Sequence, residues 1–367
     1  MEDIRSFIYK FATDVCSIIN IFKPNNIIIA TDSQHAWRKD VLPGDTLTPG
    51  YKSNRKKSDN INWDNIFKCS DDLQNILEKN NIHIAKVEHC EADDIAAMCK
   101  ELVFEKYQNY NIIIVSADAD IRQLIDFNPI THQYCVVYNT TSKGRGKYAK
   151  RFLYVTDDFY NWYNEQTNNF DIFFENEDLL KHYIKDILQT NSIMELCVEN
   201  PNEVVLHKIF CGDDGDCVPS FYTWFKDGKK SRITPSKEKK IRELIGINNI
   251  KDLLDGKSML KPVLEKVCKR KEIDDIDVEE RLNRQRVLVE LNSNLFPEHI
   301  QDYKDNLDDM IKNIPSTNFV NIKAQQLLEG TDYEGYDKKK VLEAEIFKDI
   351  KKYVKEDNTV DTNSLFE

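Results

Sequence analysis

The sequence lacks the features that place a chain in a membrane or outside the cell. No apolar run approaches the roughly eighteen residues that a bilayer-spanning helix requires. The nine cysteines are odd in number, lie scattered between Cys16 and Cys268 and include no CxxC pair, which argues against a disulfide framework and a structural zinc site. The opening residues, MEDIRSFIYKF, do not resemble a secretion signal. We therefore expect a cytoplasmic protein without membrane partners.

The chain also lacks an excess of positive charge. Its 63 acidic and 51 basic side chains give a formal net charge of -12, which disfavours nucleic acid because phosphate contacts depend on lysine and arginine. A single basic run is more often a solvated surface than a binding site. Three basic runs beside acidic clusters nevertheless favour a nucleic-acid surface: Lys52, Arg55, Lys56 and Lys57; Lys143, Arg145, Lys147, Lys150 and Arg151; and Lys226, Lys229, Lys230 and Arg232.

Length and patterning predict two compact units followed by a tail. A chain of 367 residues with 41% hydrophobic and 31% charged side chains can bury a substantial core. Over residues 1–165, apolar runs at 27–30, 82–87 and 112–115 predict strands that alternate with helices over 2–22, over 64–80 and from Glu91 onward. This alternation predicts an α/β unit with a largely parallel central sheet. Residues 166–330 predict a mostly helical domain, and residues 331–367 predict a charged tail.

Carboxylates are concentrated where the predicted strands end and the helices begin. Ligands bind at the carboxyl ends of strands in open α/β sheets, so these side chains are expected to share one crevice. Carboxylates without histidine or cysteine suit magnesium or manganese, and two such ions stabilise the attacking and leaving oxygens of a phosphodiester. Helix-dipole complementation by Asp93 and Asp94, and a polar or calcium-like turn at GDDGD, are the ordinary alternatives. Their joint occurrence favours a metal site drawn from Asp32, Glu91, Asp93, Asp94, Asp118, Asp120, Asp213, Asp214 and Asp216.

Five segments carrying these acids and the first basic run follow one another along the chain: ATDSQHAWRKD, PGYKSNRKK, CEADDIAAM, VSADADIRQLI and KIFCGDDGDCVP. In order and spacing they resemble the motifs of the 5' nuclease family, which includes flap endonucleases and the 5' exonuclease domains of bacterial DNA polymerases. A WxxxFK-type segment and RITPSKEKKIRELI also resemble the RNase H, a 5' to 3' exonuclease, of T-even bacteriophages. The resemblance covers residues 8–310, and a viral protein acting in a host cytoplasm fits it.

The resemblance implies a fold and a set of roles. The fold would be a PIN-like 5' nuclease domain, with an arch or clamp over residues 38–62, and a C-terminal helical domain with a helix-three-turn-helix-like module that grips duplex DNA. Two Mg²⁺ ions, or Mn²⁺ instead, would be held directly or through water by Asp32, Glu91, Asp93, Asp118 and Asp120, with Asp94, Asp213 and Asp216 completing the second metal region. Positive charge against the scissile phosphate and the 5' strand would come from the catalytic residues Arg38, Lys52 and Arg55.

Further positions are predicted to bind nucleic acid. Tyr51 would stack on a base near the cut site, with simple packing as the alternative. The other predicted contacts are basic side chains from the three runs and their neighbours: Lys39, Lys56, Lys57, Lys143, Arg145, Lys147, Lys229, Lys230, Arg232 and Lys237.

The sequence departs from the family pattern in two places. Family members begin with a further strand that carries an aspartate, whereas Asp3 and Asp14 of this chain lie within the predicted first helix. A missing central strand would expose the edges of its neighbours. It could be supplied by a companion polypeptide or by a different start, or its absence could weaken catalysis. The Gly-x-Gly turns of the helix-three-turn-helix module are also replaced, by a lysine-rich segment around Gly228.

These features predict a metal-dependent 5' to 3' exonuclease or flap endonuclease that hydrolyses phosphodiesters near 5' ends of RNA or DNA on a duplex, in primer removal during replication. The partner would be duplex DNA or an RNA–DNA duplex with a 5' single-stranded end. One alternative is a weakened homologue that binds branched DNA, and another is a small RNA-cleaving PIN nuclease. The apolar end of the tail, NSLFE, is a candidate contact for a sliding clamp or a single-strand-binding protein, with a disordered end as the alternative.

Overall fold

The first helix packs as its apolar period predicts. The computed structural model describes residues 2–33, 35–44, 49–55, 63–143, 150–173, 193–226, 229–269, 278–313 and 323–334. Helix α1 (Glu2–Phe22) buries Ile8, Ala12 and Ile19 in a cluster shared with α3 (Trp63–Lys79).

Across the described residues, no helix is long and apolar enough to cross a membrane.

The strands form two neighbouring sheets. In the first, β1 (Ile28–Thr31) pairs in parallel with β2 (His83–Lys86). The second has the order β3 (Ile112–Val115), β5 (Tyr134–Lys143), β6 (Lys150–Val155) and β7 (Ile193–Val198), with β4 (Asp126–Phe127) on β5. The β3–β5 and β6–β7 pairs are parallel, whereas β5–β6 and β4–β5 are antiparallel. The prediction of an α/β unit with a largely parallel sheet is confirmed.

The chain order and the packing of the helices indicate how the two sheets are arranged. Helix α3 packs with Ile29 on one face of the first sheet, whereas α4 (Ala92–Lys106) packs with Ile28 on the other. Because crossovers between parallel strands are right-handed, helices on opposite faces require the chain to run in opposite directions across the sheet. We infer that β3 lies on the β1 side of the pair. In the described part of the chain β1 pairs only with β2, and β3 pairs along one edge with β5, so each strand has an edge without a strand partner among these residues.

The region predicted to be helical contains more strand than expected. Strand β7 lies beyond the predicted boundary at residue 165 and joins the main sheet, since its apolar residues gain a full parallel ladder with β6. A hairpin of β8 (Thr223–Lys226) and β9 (Lys229–Arg232) lies in the lysine-rich segment that replaces the family's Gly-x-Gly turns, and it separates two helices. These two helices are α6 (Pro201–Cys211) and α7 (Pro235–Ile245).

The remaining helices return the chain to the first unit. After α5 (Asp157–Phe173), the helices that follow α7 are α8 (Ile250–Asp255), α9 (Lys257–Cys268), α10 (Val278–Val289), α11 (Glu298–Gln301), α12 (Tyr303–Asn313) and α13 (Ala324–Leu327). Ile300 and Leu307 pack in the same cluster as α4, and Leu327 packs with α1. The C-terminal helices therefore support α4, whose first turn carries acidic residues, and also pack on α1. The predicted tail from residue 335 onward lies outside the described residues.

Candidate active site

The first turn of α4 holds carboxylates that the sequence analysis placed there. Glu91 is the N-cap, and its backbone amide donates to Oδ2 of Asp94 at 3.1 Å. The amide of Ala92 donates to Oδ1 of Asp32, which follows β1, at 2.8 Å. Asp32 and Asp94 thus satisfy free amides at a helix start, where negative charge is favoured. Asp93 instead lines the cleft beside this turn.

Arg38, in the short helix α2 (Arg38–Val41), lies among these carboxylates rather than in open solvent. Its side chain is 2% exposed, with NH1 3.0 Å from Oε2 of Glu91 and NH2 2.6 Å from Oδ1 of Asp94. Burial acts to lower the pKa of Arg38, but the charge and hydrogen bond of Asp94, with smaller contributions from Tyr51 and Asp93, together outweigh it and the pKa is raised. Its guanidinium therefore compensates two buried carboxylates, and its contact with the scissile phosphate stays a prediction.

Tyr51 is packed inside the site. It is 6% exposed, and its hydroxyl donates to Glu91 at 3.0 Å and to Asp216 at 3.3 Å. This packing favours the packing alternative for Tyr51, and stacking on a base stays a prediction. Lys52 contacts Glu91 and lies 3.6 Å from Asp216, which brings the arch region and the acidic turn together.

Arg55 is the accessible cation of this group. NH2 of Arg55 lies 2.6 Å from Oδ1 of Asp216, and its side chain is 61% exposed. Lys52, by comparison, is 17% exposed. Arg55 can therefore exchange a carboxylate partner for an incoming phosphate at a smaller desolvation cost than Arg38.

Four carboxylates from three distant segments line one cleft with Tyr51 and Lys208: Asp93, Asp120, Asp213 and Asp216. Burial, reinforced by Asp94 and Glu91, raises the pKa of Asp93 to about 7. Burial also raises the pKa of Asp120, although Lys208 opposes it. Both shifts indicate that negative charge is concentrated here at a free-energy cost.

Asp118 sits at the rim of this cleft. Its Oδ1 accepts the backbone amide of Asp120 at 2.9 Å, and its own amide donates to Oγ of Ser116 at 3.0 Å. The side chain is exposed, and its charge contributes to the raised pKa of Asp120. The structure thus brings Asp118 beside the cleft, with an ordinary turn-forming role visible in its hydrogen bonds.

A tight turn after α6 presents Asp213 and Asp216. Gly212 has φ +77°, and a Cβ there would lie 2.5 Å from the carbonyl oxygen of Val218, so the position requires glycine. Asp213 and Val218 exchange two backbone hydrogen bonds that close the turn. Burial acts to raise the pKa of Asp213, but Lys208 and the turn amides lower it overall. This carboxylate is therefore ionised and fixed in direction.

Lys208 is a functional candidate that the sequence analysis missed. Its ammonium group contacts Asp120 and lies 2.5 Å from Asp213, so it bridges two acids from different segments. It lies in the last turn of α6, five residues before Asp213. Nothing in the local pattern distinguishes this lysine from other basic residues at the end of a helix, and only the tertiary pairing reveals it.

The acids fit a divalent cation. One oxygen each from Asp120, Asp213 and Asp216 can be chosen so that all three lie within 4.8 Å of one another. The donors are carboxylates without sulfur or imidazole, which suits a hard ion such as magnesium or manganese. A divalent cation would also offset the burial, and the smaller effect of neighbouring carboxylates, that raise the pKa of Asp93 and Asp120.

The predicted nucleic-acid contacts are only partly described. Lys56, Lys57, Arg145 and Lys147 lie outside the described residues, and Lys143 and Lys230 are placed only by their backbones. Lys229 is exposed and Lys39 is half-buried. Arg232 binds the exposed carboxylate of Asp214 at 2.7 Å, and Nζ of Lys237 lies 5.0 Å from the ring centre of Trp224. Their roles in binding remain predictions.

Two comparisons with known protein sequences found similar proteins. Residues 4–152 match the sequence family described as 5'-3' exonuclease, N-terminal resolvase-like domain. A curated 5'-3' exonuclease of Mycoplasmopsis pulmonis (strain UAB CTIP) is 37% identical over 134 residues. That alignment spans 36% of this chain and 40% of the relative.

Solved structures of a bacteriophage T5 enzyme share the fold. Its 5'-exonuclease with bound zinc ions is 18% identical, with a TM-score of 0.52 over 84% of this chain and 91% of that chain. Its flap endonuclease in a pseudo-enzyme-product complex with DNA and metal ions is 18% identical, with a TM-score of 0.51 over 85% and 92%. At this identity the likeness shows that the chain shares the fold of those structures, and no more.

Proposed function

We propose that this chain, whose residues 4–152 belong to the family of 5'-3' exonuclease N-terminal resolvase-like domains, is a metal-dependent 5' nuclease. The observation that carries the proposal is the convergence of Asp93, Asp120, Asp213 and Asp216 on one cleft, although they lie in three separate segments. A fold needs no such concentration of negative charge, and the raised pKa of Asp93 indicates that it opposes stability. Its use would be to bind cations.

Divalent ions would be held at this cleft, with Mg²⁺ or Mn²⁺ as the expected species. Asp120, Asp213 and Asp216 would hold one ion. Asp93 and Glu91, with Asp118 at the rim, would contribute to a second ion. When bound, two ions supply charge stabilisation to the attacking and leaving oxygens of a phosphodiester. The chain's own contribution is to fix the carboxylates in direction, through Tyr51, Lys52 and Arg38 on one side and Lys208 on the other.

The substrate would be a 5' end of DNA or RNA on a duplex. Arg55 is exposed beside Asp216 and would place positive charge on a phosphate at the cleft. Lys229, Lys237 and Arg232, around the β8–β9 hairpin and α7, would contact the duplex backbone. The related T5 enzyme has been crystallised with DNA, which supports a DNA substrate here. Removal of primers or flaps in replication, leaving a 5' phosphate, is the role we propose.

The proposal is tested by cleavage of a 5'-labelled flap duplex with Mg²⁺ or Mn²⁺. The variant carries Asp118→Asn together with Asp120→Asn, and the matched control carries Asp157→Asn together with Asp158→Asn, two exposed acids in the first turn of α5. We expect cation-dependent cutting by the parent chain and the control, and its loss in the variant. Cutting that persists unchanged in the variant would exclude these carboxylates from the reaction.

A second candidate function is binding to branched DNA without cleavage. The open edges of β1 and β3 favour it, because the family's aspartate-bearing strand is the element expected beside them. The four carboxylates of the cleft argue against it, since they repel phosphate unless cations are bound. Tight flap binding in the same assay, with no cutting in either cation by the parent chain, would support this alternative.

The partner proposed for the C-terminal end falls outside the described residues. NSLFE combines apolar side chains with acidic surroundings, a composition found in short docking peptides. Deletion of residues 355–367 would then weaken binding to a sliding clamp or a single-strand-binding protein while cleavage of free flap DNA stays the same. Unchanged binding to both would remove the idea. A reducing cytoplasm is proposed as the site of action, because all nine cysteines are free thiols.

A further inference from the structure

A second group of metal-ligating side chains lies between α6 and α7, apart from the acidic cleft. His207 and Cys211 are four residues apart on α6 and therefore share one face of that helix. Glu238 projects from α7 toward both. Nδ1 of His207 lies 2.7 Å from Oε2 of Glu238, and Sγ of Cys211 lies 3.3 Å from the same oxygen. One carboxylate oxygen thus stands between an imidazole nitrogen and a sulfur.

The second oxygen of Glu238 is directed elsewhere. Oε1 lies 3.5 Å from NH1 of Arg242, and Arg242 is itself held by Glu203 on α6. This contact orients the carboxylate so that Oε2 faces His207 and Cys211. Glu238 and Cys211 are buried, at 4% and 7% exposure, whereas the side chain of His207 is 49% exposed. The group therefore has two fixed internal donors and one side that is open to solvent.

The donor types differ from those of the acidic cleft. This group offers a nitrogen, a sulfur and an oxygen that lie within 4.8 Å of one another. Such a mixed set of ligands suits a borderline-soft transition metal. Magnesium prefers oxygen alone and would not select this set. In the sequence analysis, the absence of a CxxC pair argued against a structural zinc site. A site made of a His-x-x-x-Cys pair on one helix and a third ligand on another helix leaves no such local pattern, so the sequence alone does not reveal it.

We propose that His207, Cys211 and Glu238 bind one Zn²⁺ ion, with a fourth position open to water on the His207 side. The thiol proton of Cys211 is released to solvent on binding, and Nδ1 of His207 binds in its unprotonated form. The ion replaces the hydrogen bonds that Glu238 accepts in its absence. The site is distinct from the proposed nuclease site, because the two share no ligand.

A metal ion bound at this site would affect the structure on both sides of it. Cys211 is followed by Gly212 and Asp213, and Glu238 lies in α7 directly after the β8–β9 hairpin. A metal bond between α6 and α7 would fix the acidic turn relative to the proposed duplex-binding hairpin. Zinc would thus stabilise the chain by mass action, since only the folded state brings the three ligands together.

The experiment uses the full chain after chelator treatment and titrates it with Co²⁺ in excess Mg²⁺, so that the carboxylate cleft is already supplied with a hard ion. A cobalt–thiolate charge-transfer absorption, saturating at one equivalent and displaced by Zn²⁺, is the expected result. Carboxylates alone cannot give that absorption. Thermal unfolding with and without Zn²⁺ is followed in parallel.

Three variants separate the outcomes. His207→Ala alters an exposed side chain and should fold, yet it should weaken Co²⁺ binding by more than about tenfold. Cys211→Ser should abolish the thiolate absorption, whereas Cys217→Ser, which changes a half-buried cysteine outside the group, should leave it intact. The proposal is overturned if the parent chain shows no thiolate absorption and no Zn²⁺-dependent rise in melting temperature, or if His207→Ala binds as tightly as the parent chain.

Discussion

The ammonium group of Lys208 lies 2.5 Å from a carboxylate oxygen of Asp213 and also contacts Asp120. The two acids come from segments that are far apart in the sequence, one after β3 and one after α6. Lys208 therefore supplies, within the chain, part of the positive charge that the proposed cations would bring. Burial acts to lower the pKa of Lys208, but these two carboxylates raise it overall, so the lysine stays charged.

Replacing Lys208 should make the fold more dependent on divalent cations. Lys208→Met keeps most of the stem but leaves Asp120 and Asp213 uncompensated, which should lower the free energy of unfolding by about 1–3 kcal/mol in chelator. Added Mg²⁺ should restore more stability in this variant than in the parent chain. Thermal unfolding with and without Mg²⁺ measures this, and Lys240→Met, an exposed lysine on α7, is the control. An equal Mg²⁺ effect in all three chains would contradict the prediction.

Arg38 and Arg55 should differ in what their loss affects. Arg38→Met leaves Glu91 and Asp94 without their buried partner, so we expect a loss of about 3–5 kcal/mol in urea unfolding. Arg55→Met removes a side chain that is 61% exposed and should cost less than about 1 kcal/mol. Arg55→Met should instead weaken flap binding. If the two variants lost stability equally, the distinction between a buried structural cation and an accessible one would fail.

The glycine before the acidic turn should tolerate no side chain. Gly212→Ala introduces a Cβ 2.5 Å from the carbonyl oxygen of Val218 at a positive φ, so both strain and collision oppose it. Gly246, after α7, has φ +84° in the left-handed helical region and no atom within 4 Å of an added Cβ, so Gly246→Ala is a control for a positive φ without collision. We expect the Gly212 variant to lose more stability than the control and to bind divalent cations more weakly. Similar losses would show that the close approach has no consequence.

Local patterns predicted the strands and helices that present the acids, because the apolar residues of each element recur at a clear helical or strand spacing. The bounds of α1 and β3 and the N-terminal start of α4 at Glu91 follow directly from apolar spacing and capping chemistry. Strand β7 was missed because its pairing with β6 decides its conformation, and no local signal records that pairing. The burial of Tyr51 was likewise not visible in the local pattern, because it depends on tertiary contacts.

Tertiary pairing also limits what the sequence shows of the site. The acids could be predicted because a carboxylate can bind a cation wherever the fold places it. Arg38 was assigned to an incoming phosphate, and the fold gives it two buried carboxylates that the sequence did not predict. Lys208 and the His207–Cys211–Glu238 group depend on distances between separate elements, which spacing within one segment does not reveal.

The unpaired edges of β1 and β3 should be visible in hydrogen exchange. Among the described residues each of these strands pairs along one edge, whereas β5 pairs on both sides. Amides on the unpaired edges lack a strand partner and should exchange much faster than those of β5. Residue-resolved exchange of the metal-free chain measures this. Uniform protection across β1, β3 and β5 would mean that something covers the open edges in solution.

The metal-free protein should lose stability as pH rises toward neutrality. Burial raises the pKa of Asp93 from 3.8 to about 7, so the folded state retains a proton that the unfolded state releases in this range. Stability due to protonated Asp93 is complete below pH 3.8 and declines as pH approaches about 7. The loss should reach a few kcal/mol, because each pKa unit corresponds to about 1.4 kcal/mol.

Asp93→Asn and divalent cations should each abolish that decline, for different reasons. Asparagine does not ionise, so the variant has no proton to lose at this position. A bound cation favours the ionised carboxylate and lowers its pKa toward the unfolded value. Urea unfolding between pH 4.5 and pH 8, with chelator or Mg²⁺, tests both, and Asp255→Asn, an exposed acid at the end of α8, is the control. A decline that persists in Asp93→Asn would assign the effect to another group and remove this support for cation binding at the cleft.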